Sequence, residues 1–145
     1  MFTEEESRIL DIAYETFITK EYALRVFSEK NPTAGYESWA VHELILSFWV
    51  RGIKAYKRQV PDLIVNDIKL EFKAGADLLN SWTWMKKDFE EHPDIRLHLF
   101  VAAFDEKGWN KFVNYLNHNG IEYIHKDLRR SNWKVVLCAN RRMRR

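Results

Sequence analysis

The chain has 145 residues, of which 46% are hydrophobic and 14% aromatic, a composition that excludes a disordered segment and fits one globular domain. The net charge is only +2, but residues 126–145 hold eight Lys or Arg and one Asp, a pattern that fits a polyanionic partner and a merely solubilising terminus equally well. The single cysteine, Cys138, excludes an internal disulfide and is expected to be buried. An acidic start and the lack of a long apolar run predict a cytoplasmic protein without signal peptide or membrane span.

The predicted elements begin with two helices. Thr3 and Glu6 fit a capping box at the start of the first, and the second runs from about Lys20 to Glu29. This pair could open a helix-turn-helix, but we expect it to pack over the core. The remaining elements, in chain order, are a helix at 36–50, strands at 53–59, 60–65 and 68–75, a helix at 77–91, a strand at 96–104, a helix at 106–120, and strands at 121–126 and 133–139. This order predicts an α/β fold with a mixed central sheet flanked by helices.

The hairpin at residues 60–75 carries charges among its aliphatic residues. Asn66 and Asp67 form a two-residue turn, in which both residue types tolerate positive φ. That turn sets a register in which Leu63 faces Leu70 and Asp62 faces Glu71. Lys73 lies two residues beyond Glu71 and therefore on the same face.

Two directly opposed carboxylates repel each other, so a fold keeps them when one is protonated or when a cation lies between them. Oxygen ligands at this spacing suit Mg²⁺ or Mn²⁺. Lys73 would orient a metal-bound water or stabilise charge in a transition state. The alternative is an exposed edge hairpin in which Glu71 and Lys73 form a solvated pair.

Asp62 after Pro61, followed by Glu71-Phe72-Lys73 on the next strand, resembles the motif of the PD-(D/E)xK nuclease superfamily. Within it, the chain is most similar to the phage-type endonuclease I resolvases, through the stretches AGYE, RGIKAY, PDLIVNDIKLEFKAG, HPDIRLHLF and NHNGIEYI, and to the archaeal Holliday-junction resolvases, through HELILSFWVRGI. It departs from the phage pattern in a third helix about one turn longer and in the N-terminal helical pair.

The resemblance implies a restriction-endonuclease-like core and a prokaryotic or viral origin. It divides a single nuclease domain, 1–145, into an N-terminal helical extension at 1–34, a nuclease core at 35–137 and a basic tail at 138–145. It also implies that Asp62, Glu71 and the backbone carbonyl of Phe72 ligate the metal, with Lys73 on the attacking water. An additional acid is expected on the third helix, and we favour Glu37, which shares the inward stripe of Val41, over Glu43.

Binding of backbone phosphates requires basic residues around such a site. The candidates are Lys54, Lys57, Arg58, Lys86, Lys87, Arg141, Arg142, Arg144 and Arg145. Trp82 and Trp84 lie near the motif and are expected to pack in the core, with base stacking as the alternative.

The predicted function is therefore a Mg²⁺- or Mn²⁺-dependent endonuclease that cuts branched DNA, acting as a homodimer so that two strands are cut symmetrically. A restriction-like or transposase-associated nuclease and an RNA endonuclease keep the chemistry and change the substrate. A nucleic-acid-binding module with a vestigial site is the alternative from another class, and the intact set of Asp62, Glu71 and Lys73 argues against it.

Overall fold

The computed structural model describes residues 1–30, 34–129 and 132–140, which form five helices and six strands. The helices are α1 (Glu4–Ile18), α2 (Glu21–Lys30), α3 (Ala34–Val50), α4 (Ser81–Glu91) and α5 (Glu106–His118). The strands are β1 (Ala55–Lys57), β2 (Leu63–Val65), β3 (Ile68–Gly75), β4 (Leu97–Ala103), β5 (Ile121–Asp127) and β6 (Trp133–Asn140). Within the described ranges, none of the helices has the length and apolar character needed to cross a membrane.

The strands form one open sheet in the order β1-β2-β3-β4-β6-β5. β3 and β4 are parallel and the other neighbouring pairs are antiparallel, so the predicted α/β class with a mixed sheet is confirmed. Every residue of β4 is buried, as its apolar sequence predicts, because it lies between β3 and β6 with helices on both faces of the sheet.

The β2–β3 hairpin has the predicted register, with Leu63 opposite Leu70 and Val65 opposite Ile68. Of the two turn residues, only Asn66 has positive φ, at +54°. β2 begins only at Leu63, three residues later than the sequence predicts, whereas β3 continues five residues past Leu70 to Gly75. Among the described residues, the second half of β3 therefore pairs with β4 on one side and has no partner strand on its other edge.

Two hydrophobic cores enclose the sheet. Side chains of α1 and α3, including Phe17 and Phe48, pack on one face together with Leu70 and Phe72 of β3. Side chains of α4 and α5 pack on the other face around Phe100. Because side chains alternate along a strand, Glu71 and Lys73 face the α4 side. The hairpin thus contributes apolar residues to one core and charged residues to the opposite face.

The N-terminal helix belongs to the first core. Thr3 and Glu6 form the predicted capping box: the Glu6 N–H donates to Thr3 Oγ1 at 3.1 Å, and the Thr3 N–H donates to Glu6 Oε1 at 2.9 Å. Cys138 is buried, as expected, within β6. That strand runs to Asn140 and so extends into the segment predicted as a tail. Residues 141–145 lie outside the described residues.

Helix α4 begins four residues later than its sequence predicts. The Asp77 carboxylate accepts from the N–H groups of Leu79 and Asn80, at 3.1 and 3.2 Å, and this local hydrogen bonding holds residues 77–80 in a turn. β1 is likewise shorter than predicted, with Ala55–Lys57 in place of 53–59.

The contact of α4 with β3 can be tested at Gly75. A Cβ atom at this position would lie 2.8 Å from Ser81 Oγ and 3.0 Å from Met85 Cε. We expect Gly75→Ala to lower the free energy of unfolding by about 1–3 kcal/mol, the usual cost of overpacking, in urea denaturation. Ser81→Ala removes the nearest atom, so the loss should be smaller in that background. Wild-type stability of Gly75→Ala would contradict the close approach of α4 to β3.

Candidate active site at the open edge of β3

The unpaired half of β3 is bordered by carboxylates. Asp62 Oδ2 accepts from the Phe72 N–H at 3.1 Å, and Glu37 Oε2 accepts from the Ala74 N–H at 3.3 Å. These two side chains thus replace the missing neighbour strand. Because the N–H and C=O of one strand residue point to the same edge, the Phe72 carbonyl also opens on the side of Asp62.

Glu71 is nearly inaccessible to solvent, with 2% of its surface exposed. Its Oε1 accepts from the Asp62 N–H at 3.2 Å. Burial, the hydrogen bond with the Asp62 side chain and the charges of Asp62 and Asp88 raise the pKa of Glu71 to about 8, against a smaller opposing effect of the Asp62 N–H. The carboxyl is therefore largely protonated at neutral pH in the absence of a cation.

Glu37 reaches the same edge from the first turn of α3. Burial raises the pKa of Glu37, and the nearby charges of Asp62 and Asp88 act in the same direction. The positive charge of Lys73 and the Ala74 N–H oppose this shift. Glu37, Asp62 and Lys73 are therefore close enough to interact electrostatically, which is the grouping that the sequence predicts.

The alternative acid, Glu43, lies elsewhere. Its Oε2 is 3.8 Å from the Nζ of Lys20, which precedes α2. Glu43 sits six residues after Glu37 in α3, so the two side chains leave the helix in very different directions. The structure brings Glu37 to the edge of β3 and leaves Glu43 in an ion pair with the N-terminal segment.

Three residues beside the site were not identified from the sequence. Asp88 and His92 lie at the carboxyl end of α4, and the His92 Nε2 is 3.7 Å from Glu71 Oε2. His98 of β4 is fully buried, with its Nδ1 2.5 Å from Asp88 Oδ2. One signal was available: His98 interrupts the apolar run RLHLFVAAF, and a buried polar side chain needs a partner.

The predicted phosphate-binding residues are distributed unevenly around this edge. Lys54, Lys57 and Arg58 are exposed, and the Arg58 N–H donates to the Asp62 carbonyl at 2.9 Å, so Arg58 borders the site. Lys87 is exposed and lies 3.5 Å from Glu91, while the half-buried Lys86 stacks over the Tyr115 ring. The last four candidates lie outside the described residues: Arg141, Arg142, Arg144 and Arg145.

The two tryptophans of α4 have different environments. Trp82 packs against the second core, as expected. The expectation of core packing is wrong for Trp84, which is 41% exposed. The physical reason is the direction of the helix: Met85 and Phe89 face the sheet, and Trp84 precedes Met85 by one position, which rotates it toward solvent.

Comparisons with known proteins returned no matching family model, no matching curated protein and no matching solved structure. The resemblance to the nuclease superfamily therefore stays a prediction from the sequence.

The raised pKa of Glu71 predicts a pH-dependent stability. Between its usual pKa of 4.5 and the folded value of about 8, the folded protein holds a proton that the unfolded chain has released. The free energy of unfolding should therefore fall as pH rises through this window. In Glu71→Gln the side chain stays neutral. In the presence of a chelator, this variant should therefore be more stable than wild type at the upper end of this pH window, by more than about 1 kcal/mol.

Urea denaturation at several pH values across the window measures the free energy of unfolding of the two proteins. If this free energy changes with pH equally in both, Glu71 does not have the raised pKa.

Proposed function

We propose that the chain is a metal-dependent endonuclease that hydrolyses phosphodiester bonds in DNA, with branched DNA as its substrate. The observation that carries the proposal is the convergence of Glu37, Asp62 and Glu71 on an unpaired strand edge that also carries Lys73. Gathering three carboxyls in a partly buried place is unfavourable without a cation, because like charges repel and burial disfavours ionisation.

The topology supports the finer proposal of a restriction-endonuclease-like core. The elements α3, β1, β2, β3, α4 and β4 follow the order helix, three strands, helix, strand that the resemblance implies. The three strands pair antiparallel in sequence and β4 runs parallel to β3, so α4 serves as the crossover between parallel strands.

The donor set fits a hard divalent ion. Carboxylate and carbonyl oxygens are the ligands that Mg²⁺ and Mn²⁺ prefer, and Asp62, Glu71 and the Phe72 carbonyl supply them from adjacent positions. Glu37 would complete this site or hold a second ion. The raised pKa of Glu71 agrees with a side chain that ionises when a cation compensates its charge.

The proposed reaction is in-line attack of water on a backbone phosphate, which leaves a 3′-hydroxyl and a 5′-phosphate. The bound ion would act as Lewis acid and activate the water. Lys73 would hold the attacking water and balance negative charge on the phosphate. Asp62 and Glu37, fixed by hydrogen bonds from Phe72 and Ala74, would set the geometry of the ligands.

The surroundings of the edge are compatible with a nucleic-acid strand. Arg58 and the exposed Lys54 and Lys57 lie on the side of β1, and Lys87 and the exposed Trp84 lie on α4. Cationic side chains would neutralise backbone phosphates, and an exposed indole offers a surface on which a base can stack. A homodimer would place two such edges on the two strands of a junction.

A cleavage assay with matched variants tests the proposal. Wild-type protein should cut a four-way DNA junction with Mg²⁺ or Mn²⁺ and should be inactive with EDTA. Asp62→Asn should lower the rate by at least about a hundredfold, because it removes a proposed direct ligand, and loss of an outer partner alone costs up to about a hundredfold. Asp67→Asn is the control, because Asp67 is an exposed carboxylate in the turn of the same hairpin.

Three outcomes would contradict the proposal in different ways. Activity that persists in EDTA or in Asp62→Asn would exclude the metal site. Cutting of RNA and not of DNA would replace the substrate by RNA. Tight junction binding without cutting by the wild-type protein would favour a binding module.

A further inference from the structure

Glu71 has a second group of polar neighbours on the side away from Asp62. Its Oε1 accepts from the Asp62 N–H, whereas its Oε2 lies 3.7 Å from the Nε2 of His92. The two carboxyl oxygens thus face two different sets of partners. One set belongs to the open edge of β3, and the other belongs to the carboxyl end of α4.

Asp88 and His92 are four residues apart, so both side chains leave α4 on the same face. One ligand atom each from Glu71, Asp88 and His92 lie within 4.8 Å of one another. Ligands that share one ion at bonds of about 2.1 Å lie roughly 3–3.5 Å apart, so a small inward movement of the side chains closes this group around an ion. The Glu71–His92 pair is already near that spacing.

Asp88 is held in place by His98. The Ile95 carbonyl accepts from His98 Nε2 at 3.0 Å, which fixes that nitrogen as a donor, and His98 Nδ1 contacts Asp88 Oδ2 at 2.5 Å. The imidazole also packs on the Phe89 ring, with centroids 4.5 Å apart. A buried histidine that orients a carboxylate is the kind of outer partner that metal ligands commonly have.

We infer that Glu71, Asp88 and His92 form a second cation site, which shares Glu71 with the edge of β3 and takes a transition-metal ion such as Mn²⁺ or Zn²⁺ in preference to Mg²⁺. Two carboxylate oxygens and one imidazole nitrogen are a ligand set for Mn²⁺ or Zn²⁺, whereas Mg²⁺ prefers oxygen ligands only. The His92 side chain is 24% exposed, so this group of side chains is accessible to solvent at His92.

This site could be occupied whether or not the protein cuts DNA, so binding and cleavage can be measured separately. The background for the binding experiment is Asp62→Asn, which removes a ligand of the proposed catalytic ion and leaves the α4 group intact. The protein should carry no histidine tag, because a tag would itself bind Zn²⁺. Calorimetric titration with Mn²⁺, Zn²⁺ and Mg²⁺ then measures each affinity.

We expect Mn²⁺ and Zn²⁺ to bind about one ion per chain and more tightly than Mg²⁺. His92→Gln should weaken Mn²⁺ and Zn²⁺ by at least about tenfold. Electron spin-echo spectra of bound Mn²⁺ should show coupling to an imidazole nitrogen that disappears in His92→Gln. The control is His118→Gln, because His118 is an exposed histidine in the last turn of another helix.

Asp88→Asn is a second variant, since the amide can still form a hydrogen bond with His98 Nδ1 while the ligand charge is lost. Thermal melts followed by circular dichroism show whether each variant is folded. Mn²⁺ and Zn²⁺ affinities that are unchanged by His92→Gln, or bound Mn²⁺ without nitrogen coupling, would overturn the inference. If the inference is overturned in this way while Asp62→Asn still loses junction cleavage, the proposed function remains supported.

Discussion

The late start of β2 creates the candidate site. Because β2 pairs with β3 only as far as Leu70, no strand in the described part of the chain receives the N–H groups of Phe72 and Ala74. Buried backbone donors need acceptors, and the carboxylates of Asp62 and Glu37 fill this role. The same hydrogen bonds fix the two acids in position. The hydrogen bonds that satisfy the backbone N–H groups of β3 are thus the same ones that position the candidate metal ligands.

Glu71 connects this edge to the second core. Glu71 is buried, and its Oε1 accepts from the Asp62 N–H. Its Oε2 lies near the carboxyl end of α4, which also carries Asp88, the partner of the buried His98. The parallel pairing of β3 with β4 places Glu71 opposite His98, so the crossover helix brings its acid to the same face. A change in the position of α4 would therefore alter the surroundings of Glu71 as well as the packing of the core.

Much of the hairpin could be predicted because its determinants are local. The Asn66-Asp67 turn sets the register, and the register brings Asp62 to Glu71. The inward stripe of α3 likewise distinguished Glu37 from Glu43 by helix geometry alone. These inferences needed only the spacing of residues in the chain.

The rest depends on long-range packing that spacing does not encode. β6 lies between β4 and β5, so its position depends on pairing with strands that are distant in the sequence. β6 also continues to Asn140, beyond its predicted end. The contact of Asp88 with His98 requires α4 to lie at one particular position along β4. The prediction for Trp84 was wrong for the same reason, because the packing of the whole core decides which face of α4 lies on the sheet.

The proposed function requires a divalent cation at the unpaired edge of β3. This cation can be located in a crystal of the protein soaked in Mn²⁺, with anomalous scattering recorded. If the proposal is right, an anomalous peak will lie at bonding distance, about 2 Å, from the carboxylates of Asp62 and Glu71. An edge in which Glu71 still accepts from the Asp62 N–H and no peak lies within bonding distance of the Asp62 carboxylate would contradict it.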